Sequence, residues 1–194
     1  MTPMDDWNRL RPDTELAVQE LHTQLSSSRS SQDLIDSYLY TKRLLAEAMQ
    51  AFVRIDLVGS NQTFQDLRAR LQKEVLDRYK DLLPERYLKV PYGTRVHEEL
   101  FTLLLQRLGQ PVQAAFLRMV TADSVHAERR IRELRELGID IRTSKENGFD
   151  FYILGSLNVD VSLVPSIVGN QIKKNKTLGR AKRKEYLEIV GYSE

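Results

Sequence analysis

The stretch 128-ERRIRELRELGIDI-141 decides how this chain is read. It sets Arg129, Arg130, Arg132 and Arg135 among Glu128, Glu133 and Glu136, stops at Gly138, and turns into an alternating apolar run. At about 100° per residue, Ala127, Ile131 and Leu134 fall in one narrow stripe with Leu137 at its edge. Arg129, Arg132, Glu133 and Glu136 point away from that stripe, and His126 and Arg130 lie on its flank. The pattern predicts a helix capped by Asp123 or Ser124, with one core face and one charged face, ended by Gly138. Mixed charge alone is explained by solvation. Glu128–Arg132 has favourable i,i+4 spacing, Arg129–Glu133 and Arg132–Glu136 have the reversed order, and such pairs are worth roughly 0.2–0.5 kcal/mol each.

The neighbours of this helix give its charge a second meaning. Downstream the period drops to two: Ile139, Ile141 and Thr143 alternate with Asp140 and Arg142, and Phe149, Phe151 and Ile153 alternate with Asp150, Tyr152 and Leu154. Asn147-Gly148 between two alternating runs signals a hairpin. Upstream, Thr94 starts a helix with Val96, Leu100, Leu103, Leu104 and Leu108 inward and Gly109 at its exit. Pro111 then suits the first turn of a short helix over 111–120. Three helices followed by a hairpin predict a winged helix-turn-helix, whose third helix enters the major groove and whose hairpin is the wing. There Arg129, Arg130 and Arg132 can donate to guanine O6 and N7, and Ser124 and His126 can meet a base edge or a phosphate. Arg142 and Lys145 in the wing suit phosphates. Outward glutamates oppose this, since they repel phosphate unless one accepts from a cytosine amino group.

The first ninety residues read as helical. A short amphipathic segment runs from Pro12-Asp13 to about Leu25, and 26-SSSRSS-31 is a polar break. Ser31 or Asp33 can cap a long helix through Leu34, Ile35, Tyr38, Leu39, Leu45, Met49, Phe52 and Val53. After Gly59-Ser60-Asn61, a further helix places Phe64, Leu67, Leu71, Val75 and Tyr79 on one face. The prolines and glycine of 84-PERYLKVPYG-93 cannot continue it and read as a linker. Three domains are therefore expected: a helical one over 1–92, the winged helix-turn-helix over 93–157, and a basic segment over 158–194. The fold class is mainly α, of the α+β kind.

The 194 residues hold no cysteine, which excludes disulfides, thiolate zinc sites and a cysteine nucleophile. The opening lacks the apolar core of a secretory signal, and no apolar run is long enough to span a bilayer, so a cytoplasmic protein is the default. Net charge is only +2, but Lys173, Lys174, Lys176, Arg180, Lys182, Arg183 and Lys184 follow one another between Gln171 and Lys184 with no acid among them. Clustering of this kind sets the field a polyanion meets, although a solvated flexible tail has the same composition.

Catalytic motifs are missing. There is no glycine-rich phosphate loop and no GxSxG, and His22, His97 and His126 have no metal-ligand spacing. One alternative is a metal-dependent nuclease that sets Asp160 on one strand and Gln171-Ile172-Lys173 on the next. The pattern is short enough to arise by chance.

The run 126-HAERRIRELRELGIDIRTSKENGFDFYILGS-156 resembles the winged-helix segment of bacterial HNH-type restriction endonucleases. It has the third helix in 127-AERRIRELRELG-138, a strand in 138-GIDI-141 and a second in 152-YIL-154. The resemblance continues through 171-QIKKNKTLGRAKRKEYLEIVGYSE-194, a basic segment that in the family runs into a helix before a Cys-x-x-Cys zinc-bound HNH unit. It implies a DNA-recognition portion reaching from about Thr94 to Glu194, with no cofactor in this chain and a divalent metal expected only in a nuclease unit beyond it. The implied partner is double-stranded DNA, held by Ser124, His126, Arg129, Arg130, Arg132, Arg142 and Lys145 together with Lys173, Lys174, Lys176, Arg180, Lys182 and Arg183. The N-terminal helices are expected to form a homodimer or a second recognition unit. A homodimeric winged-helix regulator and a protein-interaction module remain as alternatives.

Overall fold

The computed structural model of the protein describes residues 2–27, 30–57, 62–122 and 127–192. Among them are eight helices and one three-stranded antiparallel sheet, so the chain is mainly helical with a small β component, of the α+β kind. The backbone gathers into two compact units, Met1–Val58 with Ala115–Ala127 and Gly59–Ala114 with Glu128–Glu194.

In the first unit, α1 (Pro3–Ser27) begins earlier than predicted and runs through Pro12. Its start is fixed by a reciprocal cap: the Thr2 amide donates to the Asp5 carboxylate at 2.8 Å and the Asp5 amide to the Thr2 hydroxyl at 3.2 Å. The cap of α2 (Ser31–Ile55) is Ser30, one residue before the predicted candidates, with its hydroxyl accepting from the Asp33 amide at 3.3 Å. Leu10, Ala17, Leu44, Ala48 and Ala51 are buried in this unit. The small side chains of Ala17, Ala48 and Ala51 let the helices come close, and the Thr41 hydroxyl donates to the Ala17 carbonyl of α1 at 2.9 Å.

The second unit is built on α3 (Gln62–Tyr79), whose predicted stripe from Phe64 to Tyr79 is buried. Beyond it, 84–93 leaves the helical path as its prolines require, but it is packed rather than solvated. A 3-10 turn at Glu85–Tyr87 is followed by buried Leu88 and Val90. Gln72 on α3 donates to the Leu88 carbonyl at 2.7 Å and accepts from the Val90 amide at 3.0 Å, and Arg68 donates to the Val90 carbonyl at 2.9 Å and to that of Pro91. Side chains of α3 thus satisfy backbone groups that have no helical partner.

Leu100, Leu103 and Leu104 of α4 (Arg95–Leu105) are buried as predicted, but Leu108 is exposed, because the helix ends before its turn. Residues predicted to open the next helix instead form β1 (Val112–Gln113), and α5 (Ala114–Val120) follows. Sequence periodicity missed β1 because two residues carry no period. Its partner is the hairpin strand, with Val112 level with Tyr152.

The opening stretch folds as α6 (Ala127–Glu136), then β2 (Ile139–Glu146) and β3 (Phe149–Val159), in a sheet of order β1-β3-β2. Ala127, Ile131, Leu134 and Leu137 are buried, as the wheel requires. Asn147 and Gly148 have φ of 50° and 84°, the two positive values that a tight hairpin turn of the primed type needs. Tyr152 and Leu154 are the buried residues of β3, and Phe149 near the tip is exposed.

The basic run is not a flexible tail. It folds into α7 (Val164–Lys174) and α8 (Arg180–Ile189), anchored by buried Ile167, Val168, Ile172, Leu178, Leu187 and Val190. Among the described residues, no helix is long and apolar enough to cross a membrane.

Candidate nucleic-acid interface

The charged face of α6 is organised from beneath. Glu133, predicted to point outward, is only 6% exposed. Its wheel position is about 40° from that of Leu137, at the edge of the core stripe. One carboxylate oxygen accepts from Arg129 Nε at 3.1 Å, and the other accepts from Arg130 Nη1 at 2.6 Å and from His97 Nε2 at 2.9 Å. His97 on α4 is 1% exposed. A carboxylate can only accept, so His97 Nε2 carries the proton, and Nδ1 accepts from the Thr94 hydroxyl at 2.7 Å. Thr94 sits at the N-cap position of α4, yet its hydroxyl is spent on the imidazole instead of a helix amide.

Burial holds His97 below its ordinary pKa; the Glu133 carboxylate pulls the other way, while the charges of Arg130 and Arg68 reinforce the drop. For Glu133, burial favours the neutral acid, but the hydrogen bonds from His97, Arg130 and Arg129 outweigh it and hold the carboxyl below its usual range. The arrangement is a neutral imidazole, a buried carboxylate and two guanidinium groups above it.

Glu136, the other glutamate predicted to face solvent, is half-buried and accepts from the Tyr92 hydroxyl at 2.5 Å. Lys174 at the end of α7 donates to that same hydroxyl at 2.7 Å and lies over the Tyr92 ring at 5.0 Å. Tyr92 has φ of 61°, a left-handed backbone that is rare for a bulky residue. Tyr92 thereby joins the basic end of α7 to α6.

The predicted cations divide into two groups. Arg129 and Arg132 on α6 are exposed; Arg129 commits only its Nε to Glu133, and Arg132 forms no ion pair among the described residues, so neither Glu128–Arg132 nor Arg132–Glu136 is made. Arg130 is half-buried over Glu133. Lys145, Lys173, Lys176, Arg180 and Lys182 are exposed, and the Lys173 ammonium lies 4.0 Å from the centre of the Tyr192 ring. Arg142 is held by both oxygens of Asp140, at 3.0 and 2.8 Å. Arg183 folds back to donate to the carbonyls of Asn175 and Leu178 at 2.9 and 3.2 Å, closing the turn between α7 and α8. Ser124 and His126 lie outside the described residues.

The two-strand nuclease arrangement is not formed. Gln171 and Lys173 lie on helix α7, about 200° apart around its axis. Asp160 is the cap of a 3-10 turn, accepting from the Ser162 amide at 2.9 Å, and that bond holds its carboxyl below its usual pKa.

Sequence reasoning missed His97, Glu133 and Tyr92 as one assembly. His97 had a signal, since it precedes Leu100, Phe101 and Leu104 at spacings of three, four and seven and so sits on the buried stripe of α4. Tyr92 had none, because its role depends on a backbone conformation that tyrosine seldom adopts.

Residues 97–157 match the KpnI N-terminal domain, and this links the chain to a restriction endonuclease family. The match covers about a third of the chain, from His97 on α4 to Leu157 on β3, and so includes Arg129, Arg130, Arg132 and Glu133 but not α7 or α8. No curated protein and no solved structure matches the chain.

Proposed function

We propose that the protein binds double-stranded DNA in a sequence-specific manner as the recognition part of a restriction endonuclease of the HNH type. Arg129 and Arg132 would contact bases, and the cations of α7 and α8 would contact phosphates. One observation carries this reading: the two glutamates that would repel phosphate, Glu133 and Glu136, are drawn inward onto His97, Arg129, Arg130 and Tyr92, while Arg129 and Arg132 stay exposed. An arginine pinned by its Nε still presents both terminal nitrogens, the edge that suits two-point recognition of a guanine or a phosphate. The order α4, β1, α5, α6, β2, β3, with β1 against the hairpin, supports a winged helix-turn-helix as the finer fold. The match to the KpnI N-terminal domain supports the restriction context.

The test is duplex binding by fluorescence anisotropy at several salt concentrations. Arg132→Ala should cost about 1–3 kcal/mol on the preferred site and relax specificity there. Lys173→Ala should weaken all sequences alike and lower the salt slope by about one. If no duplex binds more tightly than about 10⁻⁴ M at physiological salt, the reading is wrong.

A further inference from the structure

The neighbours of Tyr92 enforce its backbone conformation. Arg68 of α3 donates to the carbonyls of Val90 and Pro91, and it packs so closely against Gly93 that an added Cβ there would stand 2.6 Å from its Nη2. On the other side, the Thr94 hydroxyl is tied to His97, whose ring centre lies 5.7 Å from that of Tyr92. Between these anchors Tyr92 keeps its φ of 61°. Left-handed backbone at a bulky residue is unfavourable. It persists where the surroundings over-determine it, and such positions cluster at functional sites. The hydroxyl delivered in this way has two partners of opposite sign: it donates to Glu136 at 2.5 Å and accepts from Lys174 at 2.7 Å. The two charged groups are thus separated by no more than those two bonds, yet no ion pair joins them among the described residues. Burial first, then the bond to Glu136, raises the pKa of the hydroxyl, so it remains a neutral bridge with a proton to give.

We propose that Tyr92 is a positioning residue for DNA binding, a role that rests on the reading given under Proposed function. Its hydroxyl keeps Glu136 and Lys174 apart, so that the acid is held at the half-buried level and the ammonium stays open to a backbone phosphate. An ammonium has three N–H donors. Lys174 is exposed and commits one of them to the hydroxyl, which leaves two for a phosphate. Without the hydroxyl, Glu136 loses its donor beside an ammonium that has lost its acceptor, and the two close into a direct ion pair. Lys174 is then neutralised from within the protein and displaces no counterion from DNA.

The test is the slope of log K against log salt for a mixed-sequence duplex bound by the full chain, to which each neutralised phosphate contributes about 0.9. Tyr92→Phe keeps the ring and should flatten the slope by about one phosphate. Lys174→Met should flatten it equally, and combining the two should flatten it no further, because both act through one contact. Adding Glu136→Gln to Tyr92→Phe should restore the native slope, since a neutral amide does not hold the ammonium; a merely structural loss has no such reversal. A native slope in Tyr92→Phe or Lys174→Met, additive losses in the pair, or no rescue by Glu136→Gln overturns the proposal. Should Tyr92→Phe fail to fold, Tyr92→Asn removes the hydroxyl with a residue at ease in left-handed backbone and carries the same expectations. A native chain that binds no duplex refutes the DNA-binding reading and this role with it. A native chain that binds, with its slope unchanged in Tyr92→Phe, refutes this role alone.

Discussion

Lowering the pH from 7.5 to 5.5 tests the buried imidazole. His97 is 1% exposed and held below its ordinary pKa, first by burial, so it stays neutral in the folded protein while its unfolded counterpart, near pKa 6.5, takes up a proton. Stability rises with pH wherever the unfolded state binds more protons, so the fold should weaken as pH falls through about 6.5. At pH 5.5 the unfolded imidazole is about nine-tenths protonated. If the folded one remains neutral, the integrated loss over the two units is about 1.3 kcal/mol. Glu133 does not blur the result: its carboxyl is held below its usual range, so the stability it contributes is lost only at more acidic pH. The assay is urea unfolding at pH 7.5, 6.5 and 5.5 of the native chain and of His97→Gln, which keeps a donor toward Glu133 but does not titrate. The native chain should lose about 1.3 kcal/mol more than the variant across that range. Equal pH slopes would mean that His97 is protonated in the fold, and the neutral donor to Glu133 would be wrong.

Three other substitutions probe separate parts of the argument. Gly138→Ala places a methyl 2.7 Å from the Asp160 carbonyl at a position with φ of 83°, and it should cost about 1–3 kcal/mol, seen as a fall in melting temperature. Pro12→Ala should raise stability by up to about 3 kcal/mol, since Pro12 is exposed inside α1; an unchanged or lower melting temperature would count against an unbroken helix there. Arg142→Ala should weaken duplex binding by less than about 1 kcal/mol, clearly less than Arg132→Ala, because Asp140 already engages its guanidinium.

Where the sequence had long periodic segments, the fold was legible. The stripes of α3 and α6 and the Asn147-Gly148 turn each follow from one local rule. The errors fall where a distant group takes over. Thr2 and Asp5 start α1 ahead of a proline that looked like its opening, and β3 supplies partners that make a strand of Val112 and Gln113. The segment 84–93 reads as a linker by composition, yet Gln72 and Arg68 satisfy its backbone from α3. The basic run read equally well as a tail because its anchors, Ile172, Leu178 and Leu187, are sparse among the lysines.

The charged helix shows most clearly how far a one-dimensional reading reaches. In sequence the arginines and glutamates of α6 alternate so evenly that ion pairing along one solvated helix explains them. In the fold the two signs separate by depth. Glu133 sits at the edge of the core stripe and meets His97 from a helix thirty-odd residues earlier; Glu136 meets Tyr92, and through it Lys174. Glu133 and Glu136 are each held by a group that no helical wheel contains. What remains outside is Arg132, with the exposed edge of Arg129. A polyanion approaching this face therefore meets a more positive surface than the near-neutral composition of the helix suggests, because compensation that is complete inside the protein contributes little field outside it. On the DNA-binding reading proposed for this face, the same logic argues against exchanging Glu133 for a neutral residue to add positive charge. Removing its charge would leave His97 and Arg130 with a weaker acceptor at a buried site. Whatever the face gained in positive charge would be offset by the loss of the anchor that aims Arg129 outward.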